Sequence, residues 1–113
     1  MAKSEIDFDD FLKLELRTGT IVDAKPNPKA RNPAFILTID FGALGTRTSS
    51  AQLTVNYQET DLIGKQIVAV LNFPPRRIAG VKSEVLVLGA MSSEHDVVLL
   101  EPSFAVENGT EIG

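Results

Sequence analysis

Between Phe35 and Phe41 the chain alternates Phe35, Leu37, Ile39 and Phe41 with Ile36, Thr38 and Asp40. A period of two commits this segment to an extended strand with one face in a core. β-Branched or leucine-rich runs of strand length recur at 18–24, 67–72, 85–88 and 97–100. The hydroxyl-rich stretch 46–55 offers Thr46, Thr48, Ser50, Gln52 and Thr54 as the polar face of a further strand. Pro26-Asn27-Pro28, Gly42 to Gly45, Gly64-Lys65, Pro74-Pro75, Gly80 and Asn108-Gly109 punctuate these runs with turn signals. Five or six short strands with irregular connections, and no repeat or linker between them, predict one mainly β domain closed into a small barrel.

Two helical segments accompany the strands. Ser4 followed by Glu5, Asp7, Asp9 and Asp10 sets a capping hydroxyl and carboxylates where a helix N-terminus favours them. A helix over 5–13 follows, with Phe8, Phe11 and Leu12 as a buried stripe that plugs a barrel end or an interface. The stretch 57–63, ended by Gly64, predicts a helical turn between the third and fourth strands. A five-stranded oligonucleotide-binding-type barrel carries a helix at that place.

Net charge is −4, and its distribution is uneven. Residues 1–16 hold two bases against five acids, residues 17–82 nine against four, and residues 83–113 six acids with no base. The domain therefore has an acidic head, a basic middle and an acidic end. A protein that coats long nucleic acid nonspecifically carries a basic excess over its whole surface; this chain offers a local patch.

Catalytic chemistry has little to work with. The chain has no cysteine, so thiolate metal sites and cysteine nucleophiles are excluded, and a reducing cytoplasm suits it. The single histidine, His95, stands between Glu94 and Asp96 in a polar segment and reads as part of a turn, since a metal centre needs several convergent ligands. Gly42 to Gly45 lacks the lysine and hydroxyl of a phosphate loop and Gly19 stands alone, so both read as turn glycines. Ser49-Ser50 has no partner base and reads as a surface hydroxyl pair. The apolar run 67–71 is far short of a bilayer span, and no basic-then-apolar leader opens the sequence. The expectation is a cytoplasmic, non-enzymatic binding protein with no cofactor, no metal and no membrane insertion.

The segment Asn72-Phe73-Pro74-Pro75-Arg76-Arg77-Ile78-Ala79-Gly80-Val81-Lys82-Ser83 is the strongest candidate site. Two prolines stiffen the exit from a buried strand, so the arginines beyond them have less freedom to lose on binding. Guanidinium forks suit phosphate or carboxylate. The plain alternative is that Arg76 and Arg77 pair with surface acids while Gly80 serves a turn. Lys29, Arg31 and Arg47, beside the hydroxyls of Ser49 and Ser50 and the amide of Gln52, form a second basic candidate, with a solvated loop as its rival. Phe73 offers a stacking or apolar surface.

Leu16-Arg17-Thr18-Gly19-Thr20-Ile21, Gly64 to Val70, and Asn72-Phe73-Pro74-Pro75 through Gly80-Val81-Lys82-Ser83 resemble the tRNA-binding-domain family over nearly the whole chain. With Ala30-Arg31-Asn32-Pro33-Ala34 and Ser49-Ser50-Ala51-Gln52, they are most similar to its export-related chaperone branch. Asn32 stands at a position where tRNA-binding members carry lysine, and Pro74 at another. The resemblance implies an oligonucleotide-binding-type barrel (15–90) flanked by dimer-forming extensions (1–14 and 91–113). It also implies a homodimer that holds unfolded or precursor polypeptides without ATP. The alternative it leaves open is a tRNA-binding module using the same basic patch. The seam is expected at Phe8 and Phe11 and around Phe104 and Val106.

Overall fold

The computed structural model describes residues 2–113. Its organising element is the long strand β1 (Leu16–Pro26), whose first half pairs antiparallel with β4 (Gln66–Val70) and whose second half pairs with β2 (Phe35–Asp40). β2 pairs in turn with β3 (Thr46–Ala51), and β4 with the short β7 (Leu86–Val87), giving the antiparallel order β3-β2-β1-β4-β7. One strand serves two neighbours in succession because it bends. Ile21 faces Ile39 and Asp23 faces Thr38, which leaves Val22 unmatched as a bulge.

The sheet then nearly closes on itself. Glu84 N donates to the Thr48 carbonyl at 2.8 Å, Ser50 N to Ser83 Oγ at 3.0 Å, and Ser49 Oγ to the Val85 carbonyl at 3.0 Å. These bonds stitch β3 to the segment entering β7 and convert a five-stranded sheet into a barrel. The expected mainly β, five-stranded barrel is the observed fold.

The alternation in β2 decides what lies inside. Phe35, Leu37 and Ile39 are buried, while Ile36, Thr38 and Asp40 remain partly accessible. With Ile21, Phe41, Leu62, Ile67, Ala69 and Val85 they form the interior cluster. β4 is apolar on both faces because its alternate residues serve two cores. Ile67 and Ala69 join the barrel interior, whereas Val68 and Val70 join Leu16 in an outer cluster covered by Phe11, Leu88 and Ile112. The helical turn α2 (Glu59–Leu62) lies between β3 and β4 as expected and buries Leu62 completely.

The N-terminal helix differs from expectation. It is α1 (Phe8–Leu12), with Asp7 rather than Ser4 as the residue before it, and none of its side chains is fully buried. Five residues make little more than one turn, too short to bury a stripe of three large side chains. Phe8 stacks on Phe11 at 6.1 Å between ring centroids, and Phe11 alone reaches the outer cluster. The helix therefore packs outside the barrel and does not plug its end.

The C-terminal segment returns along β1 where β2 stops. Thr18 N donates to Thr110 O at 3.0 Å, Gly109 N to Thr18 O at 2.7 Å and Ile112 N to Leu16 O at 2.9 Å. Gly19 lies within β1 and not in a turn. A Cβ there would stand 2.6 Å from the Phe41 ring and 2.7 Å from Ile39 Cγ2, so the core approaches the backbone as closely as glycine permits. A hairpin of β8 (Gly89–Ser92) and β9 (Asp96–Leu99) completes the molecule, with His95 exposed at its turn.

Candidate polypeptide and nucleic-acid interface

Past Pro74-Pro75 the chain forms a second hairpin, β5 (Arg76–Ile78) and β6 (Val81–Ser83). Ala79 and Gly80 form its turn with φ of +48° and +83°, the mirror-image geometry that suits two-residue hairpin loops. Arg76 faces Ser83, Arg77 faces Lys82 and Ile78 faces Val81. Because strand side chains alternate, Arg76, Ile78 and Ser83 share one face and Arg77 and Lys82 the other.

The first face lines a concavity of about 210 Å³ with Phe73, Pro74, Glu84, Val85, Leu86 and Ser50. A neighbouring concavity of about 340 Å³, lined mainly by Leu53, Leu86, Leu88, Met91, Val97 and Leu99, shares Ser50 and Leu86 with it. The two adjoin at Ser50 and Leu86, a largely apolar groove region with Arg76 in the first of them. Beside the hairpin tip, the loop at 27–34 frames a third concavity of about 350 Å³ that includes Lys29, Arg31, Ser50, Gln52, Ile78 and Ala79.

Most of the predicted residues gather here. Phe73, Pro74, Arg76, Ser83 and Ser50 meet in the apolar groove, and Lys29, Arg31 and Gln52 in the adjoining basic one. Two do not serve. Ser49 is 1% exposed with its hydroxyl committed to Val85, because its phase in β3 turns it inward; the expected surface hydroxyl pair is a single surface hydroxyl, Ser50. Asn72 spends both ends of its amide on the chain before β1, accepting from Glu15 N at 2.8 Å and donating to Lys13 O at 2.6 Å. Ile78, within the expected segment, lines the first concavity with Leu86, and Met91 lines the second; neither Leu86 nor Met91 carried a sequence signal as a site residue.

The electrostatics separate two kinds of base. Lys13, Arg17, Lys25 and Lys65 each lie within 4 Å of a carboxylate. Among the described residues, Lys29, Arg31, Arg47, Arg76, Arg77 and Lys82 form no ion pair, so the plain alternative of arginines paired with surface acids does not hold. Arg77 and Lys82 moreover stand directly opposite one another, an arrangement that costs stability when no anion lies between them. No group of His, Asp or Glu among the described residues is placed to hold a metal, and no helix is long and apolar enough to cross a membrane.

Comparison with known proteins agrees with this architecture. Residues 16–111 match the family model described as "Putative tRNA binding domain". The crystal structure of chaperone CsaA from Bacillus anthracis superposes with a TM-score of 0.93 at 55% identity, covering 97% of this chain and all of that one. The CsaA chaperone protein from Picrophilus torridus gives 0.91 at 44% identity over 96% of this chain and all of its own. Methionine--tRNA ligase of Bacteroides fragilis is 34% identical over 97% of this chain, which spans only 16% of the ligase. From the span of the family match and the full-length likeness to the CsaA structures, this chain belongs to the tRNA-binding-domain family and is a CsaA-like member of it.

Proposed function

We propose that the protein is an ATP-independent, chaperone-like binder of unfolded or export-destined polypeptides, which lie in the groove between β3, the β5–β6 hairpin and the β8–β9 hairpin. The observation that carries this reading is the adjacency of two largely apolar concavities that share Ser50 and Leu86 in their walls. Phe73 and Leu86 are about half exposed there and Met91 is 82% exposed, an apolar surface left open to solvent. An extended segment sets alternate side chains into such a groove while Arg76 meets a carboxylate or a peptide carbonyl. The flexible thioether of Met91 adapts to differing sequences, as promiscuous binding requires. Action is passive, holding unfolded chain by mass action. The designation of the similar CsaA structures as chaperones supports this reading.

A second reading rests on a different observation, the cations without acidic partners on the hairpin and the loop beside it, Lys29, Arg31, Arg76, Arg77 and Lys82, with Arg77 and Lys82 directly opposed. These cations suit the phosphates of a structured RNA such as tRNA, and the similarity to methionine--tRNA ligases supports it. Arg77 and Lys82, turned away from the groove, then serve the RNA alone, while Arg76, Lys29 and Arg31 border concavities that share Ser50 and Ile78 and stand where the two ligands meet.

Titration against a chemically unfolded reporter polypeptide and against unfractionated tRNA, each across a range of salt, tests both. Leu86→Asp puts a charge into the groove and is expected to weaken polypeptide binding at least about tenfold with tRNA binding unchanged. Arg77→Ala/Lys82→Ala is expected to flatten the salt dependence of tRNA affinity by about 1.8 in log–log slope, about 0.9 per lost phosphate contact, with polypeptide binding unchanged. Equal losses of both ligands in both variants mean a single shared surface and overturn the division.

A further inference from the structure

Asn27 stands in the turn signal Pro26-Asn27-Pro28, yet it is a polar side chain only 8% exposed at the junction of the two basic segments. Every polar group it has is used. Its backbone N–H donates to Ala34 O at 2.9 Å, and its carbonyl accepts from Ala30 N at 3.2 Å. Its side-chain Oδ1 accepts from Lys29 N at 3.0 Å. These three bonds fold the loop that carries Lys29 and Arg31. The fourth leaves the loop: Nδ2 donates to the carbonyl of Ala79, at the turn of the β5–β6 hairpin, at 3.3 Å.

The rest of the hairpin is anchored at its other end. Ser83 holds β6 to Ser50 of β3, which leaves the tip at Ala79-Gly80 to be located by what it touches. It touches Asn27 and, along Gly80, the aliphatic stem of Lys29, whose Cδ stands 3.4 Å from where a Gly80 Cβ would be. Arg77 and Lys82 lie on the strands just below this tip.

We propose that Asn27 is a positioning residue that joins two separately folded basic segments, the loop carrying Lys29 and Arg31 and the hairpin carrying Arg77 and Lys82, into one phosphate-binding surface. It contacts no ligand itself. The inference rests on the RNA reading above and adds to it the part that fixes the spacing of the cations. Without the tie the loop and the hairpin keep their charges and lose their common frame, so an RNA that engages one set no longer meets the other without ordering it first.

The test removes the tie without removing charge. Asn27→Ser keeps a hydroxyl that accepts from Lys29 N–H, as serine does in such turns, but is too short to reach Ala79. Asn27→Ala removes both. Unfractionated tRNA is titrated against the parent and both variants over a range of salt, with thermal melts confirming that each is folded. The expected result is a slope of log affinity on log salt shallower by about 1.8 in Asn27→Ser, the loss of two phosphate contacts from a neutral substitution. Lys29→Ala/Arg31→Ala added to Asn27→Ser is expected to lower the slope no further. An unchanged slope in the folded serine variant overturns the proposal, and so does weaker binding at constant slope. A parent that binds tRNA without salt dependence overturns the RNA reading instead, and this inference with it.

Discussion

Gly19 shows how much one residue constrains the barrel. The Phe41 ring and the Ile39 side chain occupy the space a Cβ would need, and both are fully buried with no room to retreat. Gly19→Ala is therefore expected to destabilise the fold by about 1–3 kcal/mol, the range for overpacking a close-packed core. A lowered urea midpoint at unchanged slope reads this, and a midpoint like the parent's refutes it. The role of this glycine was not legible in sequence, because the atoms it makes room for belong to β2 and the residue after it. Ser49 and Ser50 teach the same point. β3 reads Thr-Arg-Thr-Ser-Ser-Ala, with no apolar alternation to set its phase, so which serine faces inward followed only from the pairing with β2 and the bond to Val85. Asn27 was legible as turn chemistry, but its bond across 52 residues to Ala79 was not.

Among the elements, β2 was legible from its alternation, β1, β4, β7 and β9 from apolar or β-branched runs, β3 from its hydroxyl-rich stretch and α2 from the segment that Gly64 ends. The hairpin β5–β6 had no such signal, since every residue of β5 is exposed, and α1 is shorter than the stretch expected, with its apolar stripe left open in the single chain apart from Phe11. The segment around α2 also holds the β8–β9 hairpin in place. Tyr57 Oη accepts from Leu99 N at 3.1 Å, Asn56 Nδ2 donates to the Val97 carbonyl at 2.7 Å, and Lys65 pairs with Glu101 at 2.7 Å. The hydrogen bond with Glu101, joined by the charges of Glu101, Tyr57 and Asp61 and opposed by partial burial, raises the Lys65 pKa above its ordinary value. A folded-state pKa above the unfolded one means that the pair's stabilisation is complete below the unfolded lysine pKa and disappears as pH rises through the raised value. The stability difference between the parent and Lys65→Met is thus expected to stay level from about pH 6 to 9 and to shrink above about pH 10.5. Since Glu101 is well exposed, the difference should not exceed about 1 kcal/mol. A difference that grows with alkaline pH contradicts the assignment.

At the scale of the whole molecule, the uneven charge read from sequence becomes geometry: five unpaired bases of the middle segment lie on one hairpin and the loop beside it, while the acid-rich end runs back along β1. The flanks carry another signal, for Phe8 is 72% exposed and Phe104 84% exposed. Together with Leu12 and Val106 they leave apolar surface open on the two segments proposed as a dimer seam. A two-fold pairing there presents two grooves to one client, and the second engagement then occurs at the high effective concentration set by the first. Sedimentation is expected to find a dimer in the parent and a monomer in Phe8→Ser/Phe104→Ser. The monomer should bind a short extended peptide, long enough for one groove, as well as the parent does. For a long unfolded chain that reaches both grooves it should lose about a hundredfold, the lower end of the avidity range. A parent that sediments as a monomer at every concentration removes the seam. A dimer that survives the substitutions places it elsewhere on the barrel, and equal affinities of monomer and dimer for the long chain mean that the grooves act singly.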